Sequence, residues 1–133
     1  MNATEYLQAA RRTDISDKNY NEVVSVRMSY MARLIHAGMG ITTEAGEFMD
    51  ALKKHTMYGR QIDTTNLKEE LGDLMWYISL ACDELGITLE EVMERNIAKL
   101  RKRYPEQFTE IDATNRDLKA ERATLEDAHD DGA

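Results

Sequence analysis

The sequence predicts an all-α protein, with an antiparallel four-helix bundle-like core, an additional C-terminal helical tail and an oligomeric assembly. Three observations predict this class. Apolar residues recur at helical spacing, and nowhere do they alternate as in a strand. One proline and seven glycines in 133 residues leave long stretches without a helix breaker. The segments between the helical runs are short, which is typical of antiparallel neighbours in a bundle.

Four helical segments form the predicted core, at about 21–105 within a single domain of 1–133. The first is expected to begin at Asn21 and to end at Gly38 or Gly40, and the second to begin at Thr42 or Thr43 and to end at Gly59. The third is expected to begin at Thr64 or Thr65 and to end at Gly86. The fourth is expected to begin with a capping box of Thr88 and Glu91 and to end at Pro105. The third segment is apolar on more than one side, which favours burial on both sides and hence association of chains.

Shorter helices are expected at both ends of the chain. A helix over about 6–12 precedes the core, and Thr13-Asp14 or Ser16-Asp17 can end it. The charged tail over 106–133 has room for a further helix at about 114–126 before an acidic terminus.

Charge and composition exclude several classes of protein. The net charge is −8 and the isoelectric point is about 4.9, which argues against nucleic acid as a partner. No apolar stretch is long enough for a membrane span. The single cysteine, Cys82, excludes an intrachain disulfide and a clustered-cysteine zinc site, so we expect a reducing, cytoplasmic setting. A phosphate-bearing ligand would need added positive charge, for which a divalent metal is the obvious source.

Two related hexapeptides, EAGEFM at 44–49 and ELGDLM at 70–75, contain the candidate metal ligands. In each, two acidic residues three positions apart lie on one helix face, about 60° from each other. These residues are Glu44, Glu47, Glu70 and Asp73. If the apolar stripes beside them pack together, four carboxylates converge and repel each other unless a cation joins them. Oxygen ligands suit Mg²⁺ or Mn²⁺, whereas the alternative is a solvated acidic face on each helix.

Each hexapeptide also contains a glycine, Gly46 or Gly72. A glycine inside a helix costs about 1 kcal/mol relative to alanine. Two glycines at matching positions therefore predict a close approach of backbone or ligand there. A di-iron carboxylate site is disfavoured, because such sites use Glu-x-x-His motifs and this chain has Glu47 and Asp73 at the corresponding positions.

A polar and basic stripe on the fourth core segment complements the acidic motifs. Asn96, Lys99 and Arg103 share one helix face, and Lys54 adds positive charge at the end of the second segment. Such a stripe opposite a carboxylate–metal cluster is suited to binding phosphate. The alternative is a solvated face whose charges suit a helix C-terminus.

The ordered set of motifs resembles the MazG-like all-alpha nucleoside triphosphate pyrophosphohydrolases. The similar segments are TEAGE at 43–47, EELGDLMWY at 69–77 and NIAKLRKRYP at 96–105. The resemblance covers about 22–108 and extends more weakly to Asn115-Arg116-Asp117.

The resemblance implies hydrolysis of a (deoxy)nucleoside triphosphate between its α and β phosphates, which gives the monophosphate and pyrophosphate. It implies Mg²⁺, or Mn²⁺, held by Glu44, Glu47, Glu70 and Asp73. Lys99 and Arg103 would hold phosphates with the help of Asn96, and Lys54 is a weaker candidate. It also implies a homodimer or homotetramer, which we expect in the cytoplasm of a bacterial or phage-infected cell.

The chain departs from the family pattern at Thr43, where some relatives have a glutamate proposed as the general base. A ligand carboxylate, Glu47 or Glu44, or a hydroxide held by the metal would then have to serve. Two other functions stay open: a non-catalytic helical oligomer that binds nucleotide or metal, and a superfamily relative that acts on dUTP or phosphoribosyl-ATP.

Overall fold

The computed structural model describes residues 1–14 and 20–126, and this part of the chain is helical without any strand. Its helices are α1 Ala3–Arg11, α2 Tyr20–Tyr30, α3 Ala32–Tyr58, α4 Thr64–Leu85, α5 Leu89–Arg103, α6 Glu110–Thr114 and α7 Leu118–Glu126. The all-α prediction is therefore confirmed. A possible helix end at Ser16-Asp17 and the acidic terminus from Asp127 lie outside the described residues. Among those described, no helix is both long and apolar enough to cross a membrane.

Helix α3 is one helix of 27 residues, where the sequence predicted a boundary between two. It continues through Gly38 and Gly40, and the break lies earlier, at Met31. The boundary prediction is wrong because the cost of an interior glycine, about 1 kcal/mol, is small enough for a packed helix to absorb. The Thr42 hydroxyl donates to the carbonyl of Gly38 at 2.9 Å, so this threonine lies in the helix and does not cap it.

Most of the other predicted helix ends are confirmed. Gly59 and Gly86 end α3 and α4 in the left-handed conformation, with φ of 63° and 65°. Thr88 and Glu91 form the predicted capping box at the start of α5.

Two helix ends differ from the prediction. Helix α4 is capped by Asp63 and not by Thr64 or Thr65, the two predicted candidates. The Asp63 carboxylate accepts hydrogen bonds from the backbone N–H groups of Thr65 and Asn66, each at 3.0 Å. The helix predicted at about 114–126 is α7, which begins later, at Leu118, and the short α6 precedes it.

Helices α3 and α4 form an antiparallel pair, which is the main helix contact in the described chain. The ring of Tyr77 lies across the backbone at Gly40, where an added Cβ would be 2.2 Å from the ring carbons. Closer to the start of α3 and the end of α4, Arg33 forms ion pairs with Asp83 at 2.7 Å and Glu84 at 3.1 Å. The approach at Gly40 and these ion pairs fix the register of α3 against α4.

The glycines of the two acidic motifs do not take part in this close approach. No atom lies within 4 Å of a Cβ added at Gly46 or Gly72. Within the described chain, no backbone comes close to these two positions, and the approach of a ligand there stays a prediction. Among the described glycines, the one with a close neighbour is Gly40, which was predicted to end a helix.

A single chain buries little apolar surface. Of the described residues, Ala37 and Cys82 are the buried apolar ones, whereas Leu71, Met75 and Trp76 on α4 are 51%, 44% and 57% exposed. Helices α4 and α5 have few contacts with each other, so the predicted four-helix bundle stays a prediction.

Helix α7 packs on α5 through Glu121, which is buried at 5% exposure. The guanidinium of Arg103 donates to both of its carboxylate oxygens, at 3.0 and 2.5 Å, and that of Arg116 does so at 3.2 and 2.8 Å. These hydrogen bonds lower the pKa of Glu121 from its ordinary 4.5 to about 2. A charged tail that composition alone would leave in solvent is thus fixed to the end of α5 by an ion-pair cluster.

We expect Gly40→Ala to lower the free energy of unfolding by about 1–3 kcal/mol, because the added Cβ must displace the Tyr77 ring. The matched control is Gly38→Ala in the same helix, where no atom lies within 4 Å of the added Cβ. That change should stabilise by up to about 1 kcal/mol, because alanine is the better helix former. Urea unfolding measures both, and equal effects would show that Tyr77 does not pack on Gly40.

We expect Glu121→Gln to lower the melting temperature at neutral pH. Because folding lowers the pKa of Glu121, its ion pairs stabilise the fold above about pH 4.5 and lose that contribution as the pH falls towards 2. The difference from wild type should therefore shrink across this range in thermal melts followed by circular dichroism. Glu126→Gln, on the exposed side of the same helix, is the control. A difference that stays constant with pH would contradict the assignment.

Candidate functional site

The contact between α3 and α4 brings three of the predicted metal ligands together. Glu44, Glu47 and Glu70 each offer a carboxylate oxygen, and these oxygens lie within 4.8 Å of one another. Glu44 and Glu47 are one turn apart on α3, and Glu70 is on the facing helix. Asp73 is outside this group, but its charge still acts on Glu44. The two acidic motifs therefore face each other, as the sequence predicted, with three carboxylates closer together than the fourth.

The cluster is electrostatically uncompensated. Partial burial raises the pKa of Glu44, and a hydrogen bond from the Thr43 hydroxyl at 3.3 Å lowers it. The negative charges of Glu47, Asp73 and Glu70 then raise it further. A raised carboxyl pKa means that the site favours an added positive charge, either a proton or a cation.

Glu70 is the most enclosed member of the cluster, at 5% exposure. One of its oxygens accepts a hydrogen bond from the side-chain amide of Asn66 at 2.5 Å. No ion pair to Glu70 occurs within residues 1–14 and 20–126. Buried carboxylates are normally paired with a cation, so Glu70 is suited to be a metal ligand. Asn66 was not among the predicted site residues, although its position four residues before Glu70 was a usable signal.

The carboxylate set fits a hard divalent cation. Oxygens in an octahedral Mg²⁺ shell lie about 3–4 Å apart, since each is about 2.0–2.1 Å from the ion. The three oxygens here lie within 4.8 Å of one another, so small side-chain rotations would bring them to that spacing. All three donors are carboxylates, the ligand type that Mg²⁺ and Mn²⁺ prefer.

A cavity of about 270 Å³ opens beside the cluster, between α3, the loop before α4 and the first turns of α4. Its polar lining includes Glu47, Asp50, Lys54, Arg60, Asn66 and Glu70. Carboxylates and cations thus line one space, which suits an anionic ligand bound together with a metal ion.

The predicted phosphate-binding residues lie in different surroundings. Lys54 reaches the cavity but forms an ion pair with Asp50 at 2.6 Å. None of the α5 candidates in the described chain lines the cavity. Asn96 is exposed, Lys99 is half-buried, and Arg103 is held by Glu121 on α7. Their phosphate-binding role stays a prediction.

Comparison with known proteins gives the family. The sequence model described as "MazG nucleotide pyrophosphohydrolase domain" matches residues 36–108, more than half of the chain. The "Gene 37 protein" of Mycobacterium phage L5 is 35% identical over 74 residues, which is 53% of this chain and 65% of the phage protein. No solved structure matches significantly. The matched region contains both acidic motifs and the whole of α5, and the chain belongs to the MazG nucleotide pyrophosphohydrolase domain family.

Proposed function

We propose that this protein is a metal-dependent (deoxy)nucleoside triphosphate pyrophosphohydrolase, which forms the monophosphate and pyrophosphate. One observation carries the proposal: three carboxylate oxygens converge within 4.8 Å around a buried Glu70, in a chain of the MazG family. The reaction would take place in the cytoplasm of a bacterial or phage-infected cell, in keeping with the phage relative.

The metal would be Mg²⁺, with Mn²⁺ as an alternative, held by Glu44, Glu47, Glu70 and Asp73. When bound, it would neutralise charge on the phosphate oxygens and make the α-phosphorus easier to attack. Asn66 would hold one oxygen of Glu70 and leave the other free for the ion, since its amide bonds only one of them.

The residues of the chain would position water and accept its proton. Water attacks the α-phosphorus, the bond to the bridging oxygen breaks, and pyrophosphate leaves with that oxygen. We assign Glu47 as the group that takes the proton from the water, because it is exposed and lines the cavity. Glu44 is the second candidate, and it is more enclosed. Thr43 has no carboxylate and would contribute only its hydrogen bond to Glu44.

We further propose that the protein acts as a homodimer or homotetramer. In a single chain, large apolar side chains of α4 are about half exposed, and a standard interface removes about 800 Å² from each partner. A second copy would cover the apolar face of α4 formed by Leu71, Met75 and Trp76. Such an assembly could also bring Asn96 and Lys99 of another copy to the cavity.

We expect the protein with Mg²⁺ to release pyrophosphate from a common nucleoside triphosphate and to stop when EDTA is added. Glu70→Gln should reduce kcat/KM at least about 100-fold, because an amide is a much weaker ligand than a carboxylate. The matched control is Glu69→Gln, a neighbouring exposed glutamate, which should keep wild-type activity. Full activity in Glu70→Gln would contradict the metal assignment.

A panel of dNTPs and NTPs, with dUTP and phosphoribosyl-ATP added, tests the reaction itself. Turnover of any one of them to pyrophosphate supports the proposal and names the substrate. No turnover of any of them, with Mn²⁺ binding retained by the wild type, would overturn it in favour of a non-catalytic metal-binding oligomer.

We expect light scattering after size-exclusion chromatography to give at least twice the chain mass of 15.3 kDa. Trp76→Lys should shift the protein towards the monomer, because it places a charge within the apolar face. A wild-type mass of one chain at high micromolar concentration would contradict the oligomer.

A further inference from the structure

We propose that Arg60, in the loop between α3 and α4, binds the polyphosphate of the substrate. The inference rests on the proposed function and adds to it a contact that lies on the same helix pair as the carboxylates. Four observations support it: the shared cavity, the pairing of the charges around that cavity, the fixed backbone of Arg60, and the ion pair that Arg103 already forms with Glu121.

Arg60 lines the same cavity as Glu47 and Glu70. The volume of about 270 Å³ equals that of roughly nine water molecules, enough for a small anion with its hydration. An anion bridging a metal at the carboxylates and a cation on the loop would therefore remain within one continuous space.

Apart from the carboxylates of the candidate metal site, the other charged groups around the cavity already have partners. Asp63 caps α4, and Asp50 accepts ion pairs from Lys53 at 2.8 Å and Lys54 at 2.6 Å. The pKa of Asp50 is lowered to about 2 by these two lysines, so it stays ionised and holds the ammonium group of Lys54 in an ion pair. In the described part of the chain, the guanidinium of Arg60 has no ion pair and remains free for a ligand.

The backbone of Arg60 is fixed to the end of α3. Its N–H donates to the carbonyl of Lys54 at 3.2 Å, across the left-handed Gly59. Its carbonyl oxygen lies 2.8 Å from Nδ1 of His55, which donates when that nitrogen carries the proton. Because both backbone polar groups are bonded to the last turns of α3, the side chain starts from a defined point beside the cavity.

Arginine is chemically suited to this role. Its planar guanidinium binds two phosphate oxygens at once, and a lysine ammonium binds as a point charge. Arg103, the arginine of α5 that was predicted to bind phosphate, is less available, since it donates to both oxygens of Glu121. A phosphate contact by Arg103 must break that pairing, whereas a contact by Arg60 breaks no ion pair within the described residues.

The test measures binding of inorganic pyrophosphate to the full chain with Mn²⁺, by calorimetry. We expect Arg60→Gln to weaken binding at least about tenfold, and Arg60→Lys to weaken it less, because lysine keeps the charge and loses the planar fork. The control, Arg27→Gln, removes an exposed arginine of α2 and should bind as the wild type does. Circular dichroism checks that each variant is folded.

Kinetics separate this inference from the proposed function. If the wild type hydrolyses a nucleotide, Arg60→Gln should raise its KM about as much as it weakens pyrophosphate binding. Wild-type KM and pyrophosphate binding in Arg60→Gln, with both impaired in Arg103→Gln, would overturn the inference and leave the pyrophosphohydrolase intact. If no nucleotide is turned over but Arg60→Gln still loses pyrophosphate binding, the anion site stands and the proposed function fails.

Discussion

Repulsion among carboxylates is the constraint on which this structure depends. The close approach of Tyr77 to Gly40 sets the distance between α3 and α4, and this distance brings the acidic turns of the two helices face to face. Apolar packing and the Arg33 ion pairs must therefore oppose a local charge repulsion that a cation or a proton would relieve. The fold holds the site in an arrangement that is favourable when positive charge is present.

Local sequence signals predicted most of the secondary structure, because they act within a few residues. The left-handed Gly59 and the capping box at Thr88 are such signals, and both were found where they were expected. The helix end predicted at Gly38 and Gly40 was wrong because it does not depend on local signals alone. Whether a glycine ends a helix depends on what packs against it, and the ring that packs on Gly40 belongs to Tyr77, a residue on another helix.

In the candidate site, too, features set by local sequence were predictable and features set by contacts between distant residues were not. The convergence of Glu44, Glu47 and Glu70 was predictable, because helical periodicity places them on faces that pack together. The cavity and the free guanidinium of Arg60 were not predictable, since they depend on the path of a loop and on which charges pair with each other. Likewise, spacing placed Arg103 on a basic face but gave no sign that Glu121, eighteen residues further along, would bind it.

The continuity of α3 has a consequence for how this protein can vary. One helix of 27 residues contains both Gly40, which contacts Tyr77, and the first acidic pair. The number of residues between them therefore sets the angle around the helix axis that separates their side chains. Inserting one residue between Gly40 and Glu44 would rotate the two glutamates by about 100° around the helix axis, away from α4. Insertions or deletions here are therefore tolerable only in whole helical turns. The loop at 59–63 is not helical, so a change in its length does not rotate residues around a helix axis.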